Sequence, residues 1–78
     1  MSKKVKLTWN FSGNDSKKIA DHFLIHLNEY IKHNDIIFFD MSVHILNEFS
    51  STAYIIINQE NLIKIRDDLR PHQAFIVR

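Results

Sequence analysis

The chain has 78 residues, 45% of them hydrophobic and 24% charged, with a formal net charge of +1. These are globular values, with too little clustered positive charge to hold phosphate backbones nonspecifically. The absence of cysteine excludes disulfide staples, thiolate zinc sites, Fe–S clusters and thiol nucleophiles.

Residues 4 to 11 alternate, with Val5, Leu7, Trp9 and Phe11 on one side and Lys4, Lys6, Thr8 and Asn10 on the other, which predicts a half-buried strand. Lys6 and Thr8 break the apolar run that a signal peptide would need, and no segment approaches the ~20 apolar residues of a membrane helix. One domain over residues 1–78, cytoplasmic and without a membrane partner, is the expectation. Ser12-Gly13-Asn14-Asp15 ends the strand, with Asn14 or Asp15 placed to cap a helix.

Ile19, Ala20, Phe23, Leu24, Leu27, Tyr30 and Ile31 follow helical spacing and predict an amphipathic helix from about Asp15 to His33, capped by Asn34. From Ile36 the period returns to two. Ile37, Phe39, Met41, Val43 and Ile45 then share one face, and Phe38, Asp40, Ser42, His44 and Leu46 the other. Asn47 to Ser51 reads as a hairpin connection to a third strand, Thr52 to Asn58, which is apolar on both faces and therefore central. Gln59-Glu60-Asn61 opens a second helix with Leu62, Ile63, Ile65 and Leu69 inward; Pro71 stops it, and Gln73 to Arg78 forms a last strand.

The order β-α-β-β-α-β predicts an α+β, ferredoxin-like sandwich, a four-stranded antiparallel sheet with two helices on one face. The other face would carry Lys6, Thr8, Asn10, His44 and Leu46 with either Tyr54 and Ile56 or Ala53, Ile55 and Ile57. That leaves an apolar centre under a polar rim, of the kind that marks an interface.

Two constellations could carry chemistry. His22, His26, Glu29 and His33 fall within a sector of roughly 60° on the first helix, and histidines at i and i+4 can share a divalent ion. The stripe points to water, without the surrounding groups that fix imidazole orientation in metal sites, and a solvated polar face is the simpler explanation. Arg66, Arg70 and His72 at the end of the second helix could grip an anion, with Tyr54 as a further ligand contact; cations that complement the helix dipole are the simpler explanation. Ser42, Ser50 and Ser51 stand at no local spacing that couples a nucleophile to a base.

Small ferredoxin-like families offer comparisons. Heavy-metal-associated domains carry Cys-x-x-Cys, and acylphosphatases an arginine, where this chain has Ser12-Gly13-Asn14-Asp15. With Gly13 in that turn and Ile19 and Phe23 beyond it, the outline resembles ligand-sensing ACT domains, which implies a paired regulatory module that binds a small molecule.

The expectation is a non-enzymatic binding or interaction domain that needs no cofactor. It self-associates, or takes a protein partner, through its open sheet face or an edge strand; a small-molecule ligand fits the same outline, and nucleic acid is not an expected partner. The alternative is a small enzyme or metal-binding protein using the histidine stripe.

Overall fold

The computed structural model describes residues 3–77, so the last strand is seen as far as Val77, and Arg78 lies outside the described residues. In chain order the elements are β1 (Lys4–Ser12), α1 (Ser16–His33), β2 (Phe38–Asn47), β3 (Ser50–Asn58), α2 (Leu62–Leu69) and β4 (Gln73–Val77), with a single 3-10 turn, Gln59–Asn61, leading into α2. The four strands form one antiparallel sheet in the order β2-β3-β1-β4. No helix among the described residues is long and apolar enough to cross a membrane.

Alternation along β1 and β3 builds one buried face. Val5 lies opposite Ile57, Leu7 opposite Ile55 and Trp9 opposite Ala53. Leu27 and Ile31 of α1 and Ile65 of α2 join that face in one core. Leu7, Ile55, Ile57 and Ile65 have no exposed surface, so truncating any of them to alanine would cost ~2–5 kcal/mol. The Trp9 indole packs against Phe23 of α1, with ring centres 4.9 Å apart and planes tilted by 46°, and its Nε1 donates to the Leu69 carbonyl at 3.0 Å. One side chain of the central strand thus packs on one helix and satisfies an end carbonyl of the other.

The chain ends of α1 are fixed by backbone rather than by a side-chain cap. Asp15 occupies the N-cap position without a side-chain hydrogen bond, so the capping expected of Asn14 or Asp15 does not form. Instead Gly13, at φ 108, donates its N–H to the Phe49 carbonyl at 2.8 Å and accepts from the Ser16 N–H at 3.1 Å. At the other end Asn34 is the C-cap, as expected, and Asp35 takes a left-handed conformation at φ 52. The Ile36 N–H reaches the Ile31 carbonyl at 3.0 Å, and the Asp35 N–H the Lys32 carbonyl at 3.3 Å. These are the two bonds of a Schellman motif, and buried Ile36 and Ile31 supply its apolar contact.

Three side-chain expectations are corrected. Ile63 is 61% exposed, because it stands two residues from the buried Ile65 and hence about 200° away around α2. Ile19 lies at the rim of the α1 apolar face and is half exposed. In β2 a bulge between Phe38 and Asp40 makes Phe39 an extra residue: Phe38 pairs with Ile57 and joins the face of Met41, Val43 and Ile45, while Phe39 turns to the open face. The hairpin is also tighter than expected, since β3 already begins at Ser50.

Candidate functional site

The face of the sheet away from the helices is set by the residues alternating with the core. It carries Lys4, Lys6, Thr8 and Asn10 from β1, Thr52, Tyr54 and Ile56 from β3, Asp40, Ser42 and His44 from β2, and Gln73 and Phe75 from β4. Much of it is engaged with itself. Tyr54 donates to Asp40 Oδ2 at 2.9 Å and lies under the Lys6 ammonium, 4.5 Å from its ring centre. The hydrogen bond to Asp40, helped by burial, raises the Tyr54 phenol above its ordinary value, because the carboxylate favours the protonated partner. Lys4 covers the Phe39 ring at 4.4 Å, and Thr52 donates to Asn10 Oδ1 at 3.0 Å. The aromatic centre of this face is therefore roofed by cations.

The edge at β2 is different. β2 pairs with β3 on one side only. Along it Phe38 is 40%, Phe39 48%, Ile45 49% and Leu46 60% exposed, with Ile37 at 68% just before it and Phe49 at 55% just after. Sheets usually protect an edge with lysine, proline or a very short strand. β2 has ten residues, neither lysine nor proline, and Asp40 as its one carboxylate. The opposite edge, β4, has five residues. Asp40 also caps its own edge, with Oδ1 accepting from the Met41 N–H at 2.9 Å.

The histidine stripe is brought together only in part. His22 and His26 approach to 2.8 Å between their Nε2 atoms, with ring centres 4.6 Å apart, so one imidazole donates to the other. Glu29 and His33 lie further along α1, and among the described residues no three His, Cys, Asp or Glu side chains are arranged to hold a metal ion. Arg66, Arg70 and His72 stay together at the end of α2 and in the turn that follows it, and Tyr54 lies apart from them. Arg66 Nε lies 3.3 Å from Asp67 Oδ1 on α2, and Arg70 is the left-handed C-cap of that helix at φ 48. His72 uses Nδ1 to accept the Asn10 N–H at 2.7 Å, and its own N–H reaches the Thr8 carbonyl at 2.8 Å, extending the β4 pairing by one residue. Tyr54 belongs to the open face, on the far side of the sheet from α2.

Sequence reasoning offered the open face or an edge strand for association, without singling out β2 as the edge where exposed apolar groups concentrate. The signal available was the run Ile36-Ile37-Phe38-Phe39, too apolar for a strand that buries only one side. Comparison with protein families, with curated proteins and with solved structures returns no match.

Proposed function

We propose that this chain is a small non-enzymatic interaction domain of the ferredoxin-like βαββαβ class, which self-associates through the free edge of β2. The fold-class reading is supported by the element order and by the sheet order, which read from the other edge is β4-β1-β3-β2 with both helix-bearing crossovers on one core. The functional reading rests on one observation: the large apolar side chains Phe38, Ile45 and Leu46 line a ten-residue strand that has a hydrogen-bonded neighbour on one side only. Adding a strand there pairs edge backbone groups and covers those side chains at once.

Sedimentation across a concentration series tests this. Association is expected in the micromolar range for the wild type and is expected to be lost in Ile45→Lys, which puts a charge on the edge. Phe75→Lys on β4 should leave it intact. A strictly monomeric wild type at high micromolar concentration, or monomerisation by Phe75→Lys alone, overturns the proposal.

A second reading rests on the His22–His26 approach at 2.8 Å: two imidazoles one helical turn apart can share a divalent cation. Zinc titration followed by NMR should then perturb both rings saturably, and the effect should vanish in the His22→Ala/His26→Ala double variant. Weak broadening that survives the double substitution removes this reading.

A further inference from the structure

The exposed strand that carries the interaction reading is self-complementary. We infer that its occupant is the β2 of a second copy of this chain, antiparallel about a two-fold axis through Ser42; this rests on the edge-association reading above.

In an antiparallel pair, directly opposed residues share a face, so two β2 strands can meet only in registers that keep helix-side residues opposite helix-side residues. Centring on Ser42 sets Met41 opposite Val43 of the second copy, both half-buried residues of the helix side. It sets Asp40 opposite His44 of the second copy on the open side, twice across the axis. Beyond the bulge, where Phe39 is the extra residue, Phe38 comes opposite Ile45 of the second copy, joining two residues that are 40% and 49% exposed. Of the neighbouring allowed registers, the one centred on Val43 brings Asp40 level with Leu46, the extra residue of the second irregularity, and the one centred on Met41 opposes Asp40 to Ser42, so neither gives the carboxylate an imidazole. The match of carboxylate to imidazole therefore selects the Ser42-centred register, and an isologous contact closes at two copies. The hydrogen bond from the Met41 N–H to Asp40 Oδ1 fits this arrangement: a backbone donor on the edge is held by a side chain that a strand can displace, releasing the carboxylate towards the facing imidazole.

The chain contains no cysteine, so single-cysteine variants report the register directly. Residues on the axis face themselves with Cβ atoms ~4.5–5.5 Å apart, within reach of a disulfide after small adjustment. Ser42→Cys should form a disulfide-linked dimer under mild oxidation far faster than Val43→Cys. His44→Glu should weaken association about tenfold by setting like charges opposite each other in both pairs, and Asp40→Lys combined with His44→Glu should restore it. Circular dichroism verifies that each variant is folded. A wild type that sediments as a dimer while Ser42→Cys fails to crosslink, or crosslinks no faster than Val43→Cys, overturns the register and leaves edge association standing. A charge reversal that does not restore association overturns the Asp40–His44 pairing. A monomeric wild type removes the edge reading and this inference together.

Discussion

Thr8 sits on the open side of β1 with 4% of its surface exposed, and its Oγ1 is a buried side-chain atom without a hydrogen-bond partner. A buried hydroxyl in that state costs the desolvation it underwent and gains nothing back, whereas an apolar group of the same shape incurs no such cost. Thr8→Val is therefore expected to stabilise the fold by ~1 kcal/mol, read as a higher midpoint in urea; a destabilised variant would mean that the hydroxyl has a partner. Tyr30 shows the opposite economy. Its OH donates to Asp68 Oδ2 at 2.6 Å, tying α1 to α2. Burial first, and the Asp68 carboxylate second, push this phenol up to about 12 from 10.0. A folded-state value above the unfolded one means the protonated phenol favours folding. Its contribution is whole below about 10 and is lost as pH rises through about 12. In Tyr30→Phe the alkaline loss of stability over that window should be shallower than in the wild type, and the highest-titrating tyrosinate absorbance should disappear. An unchanged alkaline limb would show that the phenol is not linked to folding.

At the level of elements, what the sequence disclosed depended on whether the signal was periodic. β1 and α1 were legible because Val5, Leu7 and Trp9, and then Ala20, Leu27 and Ile31, repeat at the strand and helix periods and are buried as those periods require. The face of β2 was not, because a bulge inserts one residue without changing composition and moves Phe38 across the sheet. The end of α1 was half legible. Asn34 was recognisable, but the left-handed residue is Asp35, at φ 52, where no glycine announces it. That conformation strains most side chains and is tolerated by aspartate only in part. Asp35→Gly should thus stabilise by up to ~1 kcal/mol with the helix end unchanged. Gly13→Ala should cost ~1 kcal/mol or more, because nothing lies within 4 Å of the added Cβ and the strain at φ 108 is the whole penalty. Thermal unfolding of the two variants gives the comparison; a harmless Gly13→Ala would mean that the turn relaxes to negative φ.

For the molecule as a whole, the exposed apolar edge was the least legible feature, since the place of β2 at the margin follows from sheet order, and the run Ile36-Ile37-Phe38-Phe39 marks only how apolar the segment is. Tyr54 and Ile56 were correctly among the residues offered to the open face, yet Lys6 and Lys4 cover the rings there, and the uncovered apolar surface lies at the margin. Size makes that margin matter. A 78-residue chain buries a smaller fraction of its surface than larger domains do, and its single core leaves a net stability of only a few kcal/mol. If β2 pairs with a second copy, association draws on the native state alone and adds to stability by mass action. The thermal midpoint of the wild type should then climb with protein concentration, whereas that of Ile45→Lys should stay flat. The two proteins should converge at concentrations too low for association, because Ile45 is half exposed in the single chain and contributes little to its core. A wild-type midpoint independent of concentration would separate the exposed edge from any role in stability. A gap between the two proteins that persists at high dilution would place the effect of Ile45 inside the single chain rather than between copies.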